Sequence, residues 1–184
     1  MYKKFKEYYL YFMMYAVIGW LYEVLLEVVI YRWEFTNRGF LFGPYCPIYG
    51  FGAITFILCF NRLIKKKNSS LFKFLKPLMI FFGCMVVATT IEFITSYIME
   101  LFTGSWPWQT YSDYKINFQG RIALSPSIRF GIGGVVFLYL IQPLFERIVN
   151  KMNSKIVTRV FYGVLIIFSI DFIVRITKLL FLDT

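Results

Sequence analysis

The chain has 184 residues, 59% of them hydrophobic and 22% aromatic, with a mean hydropathy of +0.63 and a formal charge of +10. Soluble domains sit near half apolar, so this composition argues against one, and the length leaves room for a single integral membrane domain over residues 1–184 without a fused ATPase domain. The positive charge lies in short stretches between apolar segments. That pattern reads as membrane topology and the lipid bilayer as partner, not as a phosphate-tracking surface, so nucleic acid is not expected.

Histidine is absent, which excludes Ser-His and Cys-His nucleophile pairs, histidine metal sites and histidine proton relays. Cys46, Cys59 and Cys84 are widely spaced and form no CxxC, so neither zinc nor a disulfide framework is expected. No GxxxxGK[ST] loop occurs. The sequence assigns no cofactor, no metal and no catalytic residue.

A spanning helix needs about 20 mostly apolar residues. Five segments qualify, at 8–31, 47–64, 77–102, 127–145 and 156–182. The expected fold is all-α, a polytopic transmembrane helical bundle of about five helices. Lys3, Lys4 and Lys6 precede the first segment, but no small-residue cleavage site follows and the run carries Glu23 and Glu27. It reads as a retained helix rather than a signal peptide.

Basic residues gather before helix 1, around the 2–3 junction (Arg62, Lys65, Lys66, Lys67, Lys73, Lys76) and around the 4–5 junction (Arg147, Lys151, Lys155, Arg159). The positive-inside rule places these clusters in the cytoplasm, with the N-terminus in and the C-terminus out, in a multi-pass protein of the cell membrane. The two outward loops cover 32–46 and 104–126 and are rich in Gly, Pro, Trp and Tyr. Trp and Tyr favour the interface, so these loops are expected to lie on or dip into the outer leaflet. Glu-bearing helices, an Asn-and-Arg loop, a proline and a glycine cluster recur in both halves, which suggests a loose parallel repeat.

The most informative residues are ionisable groups inside the apolar segments. An Asp, Lys or Arg at a helix centre costs about 2.5–3.5 kcal/mol, so such groups face a bundle interior or a watery cavity. Glu23 and Glu27 are four apart, Glu92, Ser96 and Glu100 repeat at four, and Asp171, Arg175 and Lys178 form an i, i+4, i+7 stripe. Together with Arg38, Asn117, Arg121 and Arg129 they are expected to form a carboxylate and arginine chamber open to the outside. The alternative is a set of internal ion pairs that orient the bundle.

The runs Gly19-Trp20-Leu21-Tyr22-Glu23, Arg38-Gly39-Phe40-Leu41-Phe42-Gly43-Pro44-Tyr45-Cys46-Pro47-Ile48-Tyr49-Gly50 and Asn117-Phe118-Gln119-Gly120-Arg121-Ile122 carry a resemblance. With them the chain resembles a family of small bacterial membrane proteins labelled ABC transporter type IV, or CmpB-like. The resemblance implies a permease-like subunit that borrows a separate ATPase subunit, and it carries no residue roles. Beside that transporter reading stand two others: a membrane-embedded enzyme acting on a lipid or lipid-linked substrate at the outer leaflet, and a non-catalytic scaffold or sensor in a membrane complex. The chain is also compatible with a homo-oligomer.

Overall fold

The computed structural model describes residues 2–30, 32–37, 39–66 and 70–181. Five long helical runs account for most of them. Helix α1 (Tyr2–Leu25) continues into a π-helical turn at Leu26–Ile30. Helices α2 (Pro47–Lys65) and α3 (Ser70–Thr103) follow. A 3₁₀ turn (Gln109–Asp113) and a two-stranded hairpin, β1 (Asn117–Phe118) and β2 (Ile122–Ala123), then lead into α4 (Leu124–Val136). A π turn at Phe137–Ile141 joins α4 to α5 (Gln142–Lys151), and α6 (Ser154–Phe181) completes the chain.

Four of the runs, within 3–30, 47–65, 72–103 and 124–151, are long and apolar enough to cross a membrane. Only 17% to 33% of their apolar windows is buried in protein, so the rest is surface that suits lipid better than water. Leu58, Phe74, Leu101 and Ile167 are among the large side chains left exposed. Helix α6 has 28 residues, about 42 Å at 1.5 Å per residue, and carries Arg159, Asp171, Arg175 and Lys178.

The helices run further than the apolar segments alone foretell. Hydropathy marks only the stretch that prefers lipid, whereas backbone hydrogen bonding continues helix through the flanking lysines. Thus α3 begins at Ser70 and holds Pro77 inside it, and α1 already includes Lys3, Lys4 and Lys6. Local signals set the ends. Gly104 takes φ +73° and its N–H donates to the Glu100 carbonyl at 2.9 Å, a left-handed glycine that closes α3. Asn153 accepts from the Lys155 N–H at 3.0 Å and so caps α6. The Lys76 ammonium donates to the Ile64 and Lys66 carbonyls at 3.1 and 2.9 Å, satisfying the end of α2 where the helix dipole is negative.

The chain divides into two compact units, residues 1–54 with 145–184, and residues 55–144. In the first unit α1 and α6 run in parallel, because their N-terminal ends meet: Lys6 donates to Thr158 at 2.9 Å and Tyr9 packs edge-on to Phe161. Further along, Phe12 and Met13 pack with Leu41 and Tyr45, against which Phe168 lies. Here Gly19 passes the Tyr49 ring so closely that a Cβ would fall 2.2 Å from a ring carbon. In the second unit α3 and α4 pack through small residues. A Cβ on Gly131 would meet Phe81 at 2.7 Å, and one on Gly134 would meet Cys84 at 2.5 Å. Close backbone approach of this kind favours helix association in a bilayer, where apolar burial alone supplies no driving force.

Glycines without such neighbours serve as controls. Gly163 has nothing within 4 Å of a virtual Cβ, so Gly163→Ala is expected to keep or slightly raise stability through helix propensity. Gly19→Ala is expected to cost about 1–3 kcal/mol by overpacking against Tyr49. Unfolding temperatures of the two variants in mild detergent test this; equal melting of both would refute the close contact.

Candidate functional site

Each unit places carboxylates on apolar helices and brings loop donors to them. In the first unit the key carboxylate is Asp171 of α6. Its oxygens accept from the Phe42 N–H at 3.1 Å, the Gly43 N–H at 2.7 Å and the Tyr45 hydroxyl. Successive backbone N–H groups form a concavity suited to an anion. Burial, and then the hydrogen bond to Asp171, push the Tyr45 phenol up from its ordinary value, so it stays a proton donor. One turn beyond, the Arg175 guanidinium lies 5.3 Å from the Phe40 ring centre and 5.4 Å from that of Phe42, with the Lys178 ammonium 5.9 Å from Phe42. The aromatic rings of the loop thus face the cations of α6 while its amides face the carboxylate.

The loop itself is pinned on the other side. The Trp20 indole donates to Asn37 at 2.8 Å, and the Asn37 amide donates to the Phe42 carbonyl at 2.7 Å. The Cys46 N–H donates to the Ala16 carbonyl at 2.8 Å. Leu41, Tyr45 and Cys46 are buried. Glu23 accepts from the Tyr49 hydroxyl, and Glu27, buried on the π turn, accepts from Thr36 at 2.6 Å. Arg38 lies outside the described residues.

In the second unit Arg121 is the centre. It follows a tight turn whose central residues, Gln119 and Gly120, have φ of +56° and +64°, as a type I′ hairpin turn demands. The Arg121 N–H donates back to the Phe118 carbonyl at 3.0 Å. Strand register pairs Phe118 with Ile122, so Arg121 is the extra residue that the hairpin pushes out of the ladder. Its guanidinium is buried between the Tyr97 and Trp106 rings, at 3.9 and 4.0 Å from their centres. It donates to the Glu100 carboxylate and to Ser96 Oγ at 3.3 Å. The planar cation therefore has an aromatic face on each side and oxygens at its edge, an arrangement that lysine cannot reproduce.

The surrounding loop holds the hairpin in place. The Trp108 indole donates to the Arg121 carbonyl at 2.9 Å, and the Trp106 indole to that of Gly120 at 3.3 Å. The Tyr97 hydroxyl donates to Gln119 at 2.6 Å. Asn117 devotes its side chain to the turn: its oxygen accepts from the Gly120 N–H at 3.0 Å, and its amide donates to the Tyr114 carbonyl at 2.7 Å. Glu92, buried within α3, accepts from the Tyr111 hydroxyl at 2.8 Å. Thr89, also on α3, donates to Ser127 at 2.7 Å. Arg129, exposed on α4, donates to Tyr114 and Ser125 at 3.2 and 3.3 Å.

The residues singled out from sequence therefore fall into two sets. Glu23, Glu27, Asp171 and Arg175 belong to the first unit, and Glu92, Glu100, Asn117, Arg121 and Arg129 to the second. Asp171 and Arg175, one turn apart on α6, meet different parts of the loop: Asp171 is hydrogen-bonded to its amides and Arg175 lies over its aromatic rings. Sequence reasoning passed over the neutral donors. Tyr45, Tyr49, Tyr111 and Thr36 each reach a carboxylate, and Tyr97 and Trp106 enclose the arginine. Their one sequence signal is a loop rich in aromatics with hydroxyl or N–H groups, beside helices bearing acids. Among the described residues no group of three or more Cys, Asp and Glu is arranged to hold a metal ion.

Against known proteins, no curated protein and no solved structure matches the chain. A family model does, over residues 10–176, which takes in both loops and all the carboxylates discussed above. With helices apolar enough to cross a membrane several times and a match over nearly its whole length, the chain belongs to the family described as "Putative ABC-transporter type IV".

Proposed function

We propose that the chain is the permease-like membrane subunit of a transporter in the cell membrane, and that its two carboxylate and arginine clusters are where a polar substrate meets the protein from the outer face. Position along the helices supports this. On α3, Glu100 is 24 residues from Lys76, about 36 Å, which exceeds a hydrocarbon core of about 30 Å. On α1 the step from Lys6 to Glu23 is about 26 Å, and on α6 that from Lys155 to Asp171 about 24 Å. In both units the basic ends and the carboxylate clusters thus lie towards opposite sides of a bilayer. The positive-inside rule then puts the clusters outside, with the N-terminus in the cytoplasm and the C-terminus out.

The single observation that carries the reading is the Arg121 cluster. The arginine is buried against two aromatic rings while its partner Glu100 stays partly exposed at the end of an apolar helix, so a polar ligand can reach a charged pair there. Without a phosphate-binding loop of its own, this chain would take its energy from a separate ATPase subunit. A second reading is an enzyme acting on lipid at the outer leaflet. An apolar recess of about 230 Å³ beside the hairpin, lined by Ile116, Phe118 and Leu124 with Asn117 and Ser127, favours it.

Three outcomes are expected. Reporter fusions near Lys66 are expected to read cytoplasmic and those at the C-terminus external; a cytoplasmic C-terminus would overturn the orientation. Purification in mild detergent from the native host is expected to retain a nucleotide-binding subunit in stoichiometric amount. A clean preparation holding only lipid would favour the lipid-directed enzyme. Finally, Arg121→Lys and Glu92→Gln are each expected to lower complementation of a deletion strain at least about tenfold, since hydrogen bonds to charged groups contribute about 1.5–3 kcal/mol. Immunoblots should show equal membrane levels, and full activity of both variants would sink the cluster assignment.

A further inference from the structure

At its basic end, away from the Asp171 cluster, the first unit contains a cavity of about 250 Å³. Its polar lining is Lys3, Lys6 and Glu7 from α1, Asn150 from α5, and Ser154 and Thr158 from the first turns of α6. The composition is unusual for a gap between apolar helices. Lys6 is only 9% exposed, with its ammonium donating to Thr158 at 2.9 Å and lying 5.6 Å from the Tyr162 ring centre. Together with Lys3 it gives the cavity a positively charged lining that an anion would complement. Lys3 is 77% exposed at its side chain and only 4.0 Å from Glu7, so it is loosely held and able to swing to a ligand. Lys4, Lys151 and Lys155 lie next to these positions in sequence and add to the local positive potential. The cavity also opens beside the N-terminal turn of a 28-residue helix, whose dipole favours negative charge there.

We propose that this cavity binds a phosphate group, with Lys6 as the fixed cation, Lys3 as the mobile one, and Asn150, Ser154 and Thr158 as neutral hydrogen-bonding groups. Basic pockets between helices on the cytoplasmic side of a membrane are suited to anionic headgroups. The phosphate is carried either by an anionic phospholipid of the inner leaflet or by a small soluble phosphomonoester. The volume takes a headgroup-sized ligand and no larger substrate.

The test uses the full-length protein in a neutral detergent. Binding is read by native mass spectrometry and by thermal shift, with phosphatidylglycerol, phosphatidylcholine, glycerol 3-phosphate and inorganic phosphate as probes. Phosphatidylglycerol is expected to bind one to one and more tightly than phosphatidylcholine. Lys3→Gln is expected to weaken it about fivefold, as one lysine near an anionic surface contributes about 1 kcal/mol. Ser154→Asp, an acid at a helix N-terminus that the helix itself tolerates, is expected to abolish binding without lowering the melting temperature of the unliganded protein. Lys73→Gln, which removes the same charge outside the cavity, should change nothing. Stabilisation by glycerol 3-phosphate or inorganic phosphate as well assigns the site to a soluble ligand; a response to the lipid alone assigns it to the bilayer. Equal affinity for the two lipids with no phosphate response, or undiminished binding in both Ser154→Asp and Lys3→Gln, would overturn the proposal.

Discussion

A carboxylate on an apolar helix needs hydrogen-bond donors wherever lipid or protein displaces water, and the local structure of both loops answers that constraint. Glu23, Glu27, Glu92 and Glu100 sit on helices long and apolar enough to cross a membrane, and Asp171 sits on α6. Each obtains donors from another segment of its own unit: the Phe42 and Gly43 amides and the Tyr45 phenol for Asp171, Tyr49 for Glu23, Thr36 for Glu27, Tyr111 for Glu92 and Arg121 for Glu100. The loops are consequently structured parts of the protein. Their irregular backbone, which lipid would not tolerate, is held by the charges it satisfies.

The two units meet this demand differently. The first wraps an extended loop around Asp171 and uses consecutive backbone N–H groups. The second builds a hairpin that delivers one arginine to the end of α3 and fixes it between two rings. Both loops use Asn to support the local turn, Asn37 in one and Asn117 in the other.

Much of the fold was legible in the sequence because hydropathy and charge alternate at the bilayer's own length scale. The helical runs sit where the apolar segments predict, lengthened at their basic ends. The carboxylates, arginines and their spacing were equally visible. Their partners were not, because a phenol or a backbone amide bears no sequence mark that distinguishes a donor to a distant carboxylate from ordinary packing. Tyr45 and Tyr49 read as members of an aromatic-rich run, and only tertiary structure shows Tyr45 reaching a residue 126 positions away. The π turns at Leu26–Ile30 and Phe137–Ile141 were likewise invisible, since one extra residue per turn leaves the apolar periodicity nearly unchanged.

The four tryptophans show one further aspect of this arrangement. Trp20 and Trp33 flank the first loop, and Trp106 and Trp108 lie in the second. The indoles of Trp20, Trp106 and Trp108 are hydrogen-bonded to the loop segments that surround the carboxylate clusters, and Trp106 also stacks on a guanidinium. The basic stretches at 3–6, 62–76 and 147–159 contain none. Emission excited at the red edge of the indole band, where tyrosine does not absorb, therefore reports the loops around the carboxylate clusters, with no label added.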